Sequence, residues 1–109
     1  MGAWKIEYWS EGVNKSPVEK WLNKLEKSQV KFVIKELDIL IDSGNELRLP
    51  HSKALGKGLF ELREREFGYR IYYGFQGKCL IILLAAGDKT SQERDIKVAR
   101  ERLLKIQKG

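Results

Sequence analysis

The chain has 109 residues, 42% hydrophobic and 33% charged, with 21 basic against 15 acidic side chains and a formal charge of +6. That length suits a single domain, residues 1–109, hiding roughly 65% of the unfolded surface in one core, and its longest apolar run, Cys79 to Ala86, is too short to cross a membrane. One cysteine and one histidine rule out an internal disulfide and argue against a zinc site, so neither metal nor cofactor is expected. Cys79 falls in an apolar stretch and reads as a small core residue. The opening MGAWKIEYW lacks the basic-then-apolar layout of a secretory signal, and Ile6 stands where acylation at Gly2 would need Ser or Thr. The expected location is the cytoplasm.

Charge is distributed unevenly. Residues 1–44 hold seven Lys against seven Asp or Glu, whereas residues 45–109 hold 14 Lys or Arg against eight Asp or Glu, including every arginine. Arginine's planar fork matches phosphate better than lysine's point charge does. A polyanionic partner is therefore expected for the second part of the chain.

In chain order, AWKIEYW (3–9) alternates Trp4, Ile6 and Tyr8 with Lys5 and Glu7 and predicts a first strand. Ser16-Pro17-Val18-Glu19 predicts a helix start, with Ser16 as N-cap, Pro17 at the first helical position and Glu19 closing a capping box. Val18, Trp21, Leu22 and Leu25 form its apolar stripe. A second helix beginning near Ser28 carries Val30, Val33, Ile34, Leu37, Leu40 and Ile41 and ends at Gly44. The two helices are expected to pair as a hairpin over one face of a sheet. NELRLPHSKALGKG (45–58) reads as irregular, punctuated by Pro50, Gly56 and Gly58.

FELREREFGYRIYYGF (60–75) predicts two hairpin strands. Phe60 and Leu62, then Tyr69, Ile71, Tyr73 and Phe75, alternate with a period of two. Matching the apolar faces sets Leu62 opposite Ile71 and Phe60 opposite Tyr73, because a slip of one residue would send a core set into water. The same register puts Arg63 directly opposite Arg70 on the other, partly open face, where like charges repel. The continuous apolar run from Lys78 to Ala86 predicts a central strand buried on both faces. GDKTSQERD then turns into a last helix, with Thr90 as N-cap, Glu93 as its box partner, and Ile96, Ala99, Leu103 and Ile106 as the buried stripe. The order is β-α-α-β-β-β-α, an α+β fold.

Other cations converge on the Arg63/Arg70 face. The loop before the hairpin brings His51, Lys53 and Lys57, and the turn after the central strand brings Asp88 and Lys89 to a helix N-terminus, which favours an anion. Such a cluster suits a phosphate held by charge-assisted contacts. RNA is cleaved when a 2′-OH attacks its own phosphorus, which needs a base, an acid and cations for the growing charge. His51 is the side chain that ordinarily titrates near neutrality; Asp88, Glu61 and Glu64 are carboxylate alternatives.

LGKGLFELR, GYRIYY and LLAAGDKTSQERDIKVARE, with the order of elements, resemble the RelE/ParE toxin superfamily, best its HigB-like branch of phage-derived or addiction-module killer proteins. The resemblance covers nearly the whole chain and is most specific from Leu55 to Arg100. It implies a RelE-like fold: a mostly antiparallel sheet with a helical hairpin on one face and a C-terminal helix. It further implies a type II toxin that cuts messenger RNA on the ribosome without a metal, neutralised by an antitoxin of helix-turn-helix type. Arg70, in Tyr69-Arg70-Ile71, falls on the strand arginine of these nucleases, Arg63 on a basic position of the preceding strand, and Lys89 on a cation after the last strand's glycine. His51 and Asp88 match by spacing the histidine and aspartate of some HigB members. Lys53, Lys57, Arg65, Arg94 and Lys97 are expected as further RNA contacts. Two positions depart from the pattern: Glu61 stands where RelE-type enzymes carry lysine, and no tyrosine follows Tyr73 to stack on a substrate base. Two other readings share the fold, a ParE-like gyrase inhibitor that works by binding alone, and an inactive member that binds only nucleic acid or antitoxin.

Overall fold

The structure, a computed structural model, describes residues 4–13 and 16–108; Gly2, the acylation position considered above, lies outside them. The elements are β1 (Lys5–Tyr8), α1 (Pro17–Asn23), α2 (Lys27–Ser43), a 3-10 turn (Gly44–Glu46), β2 (Ser52–Gly56), β3 (Leu59–Arg63), β4 (Arg70–Gln76), β5 (Leu80–Gly87) and α3 (Gln92–Lys108). They form one five-stranded sheet in the order β1-β5-β4-β3-β2, antiparallel except where β1 runs parallel to β5. The α+β, mostly antiparallel architecture is as expected. No helix among the described residues is long and apolar enough to cross a membrane.

The hairpin register follows from its apolar alternation. Phe60 faces Tyr73, Leu62 faces Ile71 and Arg63 faces Arg70. On one face of the sheet Leu62, Ile71, Tyr73, Ile81 and Leu83 pack with Val18 and Leu22 of α1 and Val33, Leu37 and Leu40 of α2. On the other face Leu59, Tyr72, Ile82, Leu84 and Ala85 pack with Ala99 and Leu103 of α3. β5 is buried on both sides as its unbroken apolar run requires. A register shift at Tyr72/Tyr73 gives β5 one extra residue, which sends both Leu84 and Ala85 toward α3.

Helix α3 therefore covers much of the face expected to be open. Its stripe of Ile96, Ala99, Leu103 and Ile106 finds apolar partners there. Gly74 makes the approach possible, since a Cβ at that position would come within 2.7 Å of a Leu103 methyl carbon. Two basic residues of α3 fasten it to the sheet: Arg100 donates to the carbonyls of Leu55 (2.7 Å) and Gly56 (3.2 Å), and Arg102 donates to that of Leu84 (2.6 Å). Arg102 also lies over the Trp9 ring at 4.4 Å.

Several local expectations are corrected. The stretch 45–58 contains a strand, β2, whose Ser52 is buried and hydrogen-bonded to the Tyr73 hydroxyl. It is an edge strand of five residues with an irregularity between Ala54 and Gly56, so exposed Lys53 and the terminal Gly56 mask the alternation. Ser16 precedes α1 with Pro17 at the first position but makes no side-chain cap; the capping box forms on α2, between Glu26 and Gln29. Thr90 does not cap α3. Ser91 stands before its first residue, and the Ser91 carbonyl accepts from the Asp95 N–H at 2.9 Å. Cys79 is exposed, one residue before β5 begins.

Enlarging Gly74 separates α3 from the sheet. Gly74→Val is expected to cost about 1–3 kcal/mol, the usual range for overpacking, read as a lower midpoint in urea unfolding. In a Leu103→Ala background the same substitution should cost less, because the colliding methyl is gone.

Candidate functional site

β3 and β4 carry the site at the end of the sheet that the β3–β4 turn closes. Arg63 and Arg70 are direct partners on the α3 face. Glu61, two residues before Arg63 on the same face, is completely buried. Its Oε1 accepts from Arg63 Nε at 2.9 Å, and its Oε2 accepts from Gln92 Nε2 of α3 at 2.9 Å. Arg70 Nε lies 3.4 Å from the same Oε2, close enough for ion pairing but angled away from a hydrogen bond. One buried carboxylate thus neutralises the repulsion between two facing guanidinium groups. Burial alone would raise the Glu61 pKa; hydrogen bonds from Arg63 and Gln92 and the charges of Arg63 and Arg70 outweigh it and hold the carboxyl below its ordinary value. Beside it the Tyr72 hydroxyl is buried without a hydrogen-bond partner among the described residues. Burial first, then the Glu61 charge, pushes its pKa well above the usual tyrosine value.

With their Nε edges turned to Glu61, the arginines keep their terminal nitrogens for other contacts. Arg70 Nη1 donates to the Gly68 carbonyl at 3.3 Å. Arg63 uses neither terminal nitrogen, and Arg70 leaves Nη2 free, among the described residues. Both arginines line a cleft of about 630 Å³, together with Arg65, Lys89, Leu49, Pro50 and the turn residues Glu64 to Tyr69. The Glu64 carboxylate organises that turn by accepting from the N–H groups of Glu66 and Phe67. It is therefore not placed as a free base.

Asp88 and Lys89 have different roles. Asp88 Oδ1 accepts from the Thr90 N–H (2.9 Å), the Thr90 hydroxyl (2.6 Å) and the Ser91 N–H (3.3 Å). The Thr90 hydroxyl, ahead of the backbone bonds, holds the Asp88 carboxyl below the usual range. Asp88 is thus a poor proton donor near neutrality and serves to shape the turn. It also occupies N–H groups that could otherwise have received an anion. The turn delivers exposed Lys89 to the cleft, its stem running beside Gly68.

His51 lies across from Arg63, whose N–H donates to the His51 carbonyl at 2.8 Å. Its ring turns toward α2, with Nδ1 2.9 Å from Glu36 Oε1, and does not line the cleft. The carboxylate selects the tautomer protonated at Nδ1, so Nε2 is the ring nitrogen with a free lone pair. Glu36 was not legible as a partner, although a carboxylate beside Leu37 and three residues after Val33 on the apolar stripe was a signal.

The expected outlying contacts divide. Arg65 lines the cleft. Lys53 is exposed on edge strand β2, opposite Glu61. Lys57 sits in the turn at the other end of β3 and flanks a different hollow, with Arg100 and Leu103. Arg94 and Lys97 are exposed on α3 and do not line the cleft. Two aromatics that the motifs do not single out as contacts line the cleft: Phe67, 44% exposed, and Tyr69, expected on the apolar face and stacked on Phe67 at 5.7 Å. No group of three or more metal-ligating side chains occurs among the described residues.

Comparison with known proteins places these features in context. Residues 20–105 match the family model Phage derived protein Gp49-like (DUF891). An uncharacterized protein of Haemophilus influenzae is 39% identical over 83 residues, covering 75% of this chain and 81% of that one. The isolated E. coli RelE toxin superposes with a TM-score of 0.58 at 17% identity, covering 87% of this chain and 98% of that one. The RelE-like fold expected from the motifs is the fold observed.

Glu61 links this site to stability. Glu61→Ala leaves the arginine pair without its counter-charge and should cost on the order of 3 kcal/mol, the lower end for a broken buried pair because Arg63 reaches solvent. Since the folded pKa is lowered, the carboxylate's contribution is complete above about pH 4.3, the ordinary glutamate value, and is lost as pH falls from there through the folded value. Urea unfolding at pH 7 and pH 3 should show a smaller acid loss in Glu61→Gln than in the wild type.

Proposed function

The chain belongs to the Gp49-like phage-derived family and has the RelE-like fold, and we propose that it is the toxin of a type II toxin–antitoxin pair, a ribosome-dependent endonuclease of messenger RNA. The observation that carries this reading is the cleft in which Arg63, Arg70 and Lys89 meet, with both arginines turned by Nε toward Glu61 and the Arg63 terminal nitrogens and Arg70 Nη2 left for an anion. A phosphodiester has the charge and the paired oxygens that such forks accept.

In this reading Arg63 and Arg70 grip the scissile phosphate, and Lys89 adds charge as the pentacovalent phosphorus forms. His51, whose ring lies outside the cleft lining, takes the proton of the 2′-OH at Nε2 through one intervening water, with Glu36 stabilising the imidazolium. The 2′-oxygen bonds to phosphorus, the bond to the 5′-oxygen breaks, and that oxygen takes a proton from solvent in the open cleft. Arg65 supports the neighbouring backbone. The products are a 2′,3′-cyclic phosphate and a free 5′-OH. A helix-turn-helix antitoxin restrains the protein in the cytoplasm until release, and the ribosome presents the message.

Arg70→Ala should fold, bind its antitoxin and lose about 100- to 1000-fold in cleavage rate, the usual cost of one transition-state donor. Arg63→Ala should act in the same direction, and His51→Ala more weakly. Induced expression with mapping of transcript ends reads this: cuts inside coding sequence support the nuclease, whereas DNA-damage signalling with intact message would put the gyrase reading in its place. RNA affinity should fall log-linearly with salt, and Arg70→Ala should make the slope shallower by about one, because one phosphate contact is lost.

A further inference from the structure

The cleft is not uniformly polar. Of the six large hydrophobic side chains that are exposed among the described residues, two line it: Leu49, 61% exposed, and Phe67, 44% exposed. A site for phosphate alone has no use for them, because apolar surface beside a charged ligand stays in water at a cost.

Phe67 is also held still. Its ring stacks on Tyr69 at 5.7 Å and meets Phe32 of α2 edge-on at 5.6 Å, while Tyr69 leans edge-on against Trp21 at 5.3 Å. The backbone beneath it is fixed by its own N–H donating to Glu64 at 3.0 Å. An aromatic ring buttressed on its inner side and open on its outer side is a prepaid stacking surface, with little side-chain freedom left to lose. Were Phe67 only a lid on the α2 core, no cationic wall would be needed around it. Arg63, Arg65, Arg70 and Lys89 supply one.

A ligand that is anionic at one point and flat and apolar at the next fits this pairing, and an unpaired nucleotide is such a ligand. We propose that Phe67, backed by Tyr69 and Phe32, is a stacking platform for an unpaired nucleobase next to the phosphate held by Arg63 and Arg70. Stacking tolerates any base, so the platform selects single strands over duplexes without fixing a sequence. This inference rests on the RNA reading above.

Fluorescence anisotropy with the full chain tests it, using short 2′-O-methyl RNA, which cannot be cut because its 2′-oxygen is blocked, and the same backbone made abasic. The wild type should prefer the base-bearing strand by roughly tenfold or more, the usual effect of one stacked base. Phe67→Ala should bind both strands with the wild type's affinity for the abasic one, while Phe67→Tyr should keep the preference. Arg70→Ala should weaken both strands alike. Equal wild-type affinity for the two strands, or equal loss from both in Phe67→Ala, overturns the platform and leaves the phosphate site standing. Binding of neither strand overturns the platform, whereas the ribosome-dependent reading is decided separately by the transcript ends mapped under induced expression.

Discussion

A buried carboxylate between two facing arginines organises this molecule's functional end. Arg63 and Arg70 are brought together by sheet register, which is itself fixed by the apolar residues on the opposite face. Left alone, the pair would repel and splay. Glu61 prevents that from inside the fold, with one oxygen on Arg63 Nε and the other shared between Gln92 and Arg70. Burying a charge is costly unless it is paired and hydrogen-bonded, and here the partners come from three elements: Arg63 of β3, Arg70 of β4 and Gln92 of α3. The start of α3, the end of the hairpin and the mouth of the cleft are thereby tied to one carboxyl group.

Positive charge in the second part of the chain has two distinct uses. Arg100 and Arg102 satisfy carbonyls at the β2–β3 turn and at the β5 bulge, so they belong to the fold. Arg63, Arg65, Arg70 and Lys89 gather around one cleft instead. Composition alone merges these groups, and only hydrogen-bond partners separate them. The same holds for carboxylates. Asp88 and Glu64 shape turns by accepting backbone N–H groups, whereas Glu36 engages the ring of His51.

Period-two alternation made the arginine pair legible before any coordinates, because one register alone buries Phe60, Leu62, Ile71 and Tyr73 together. Helical stripes made α2 and the inner face of α3 equally legible. β2 is masked because an edge strand needs apolar residues on one side only, and Gly56 at its end resembles a turn signal. Glu61 was visible as a residue on the arginine face, yet its total burial depends on α3 arriving from thirty-one positions away. The His51–Glu36 contact spans fifteen positions and has no local signature. Phe67 did carry one: a lone apolar ring inside the polar turn from Arg63 to Gly68.

If Glu61 aligns the arginines for an incoming phosphate, its negative charge helps a polyanion to bind. The most direct measurement is the affinity of Glu61→Gln for single-stranded 2′-O-methyl RNA at fixed salt, beside the wild type. Gln keeps the shape but loses the charge that draws both Nε edges inward, so the variant should bind more weakly. Simple charge counting gives the opposite sign, since removing one negative charge from a basic cleft strengthens its field. Tighter binding by Glu61→Gln would contradict the alignment role and reduce Glu61 to a structural counter-ion.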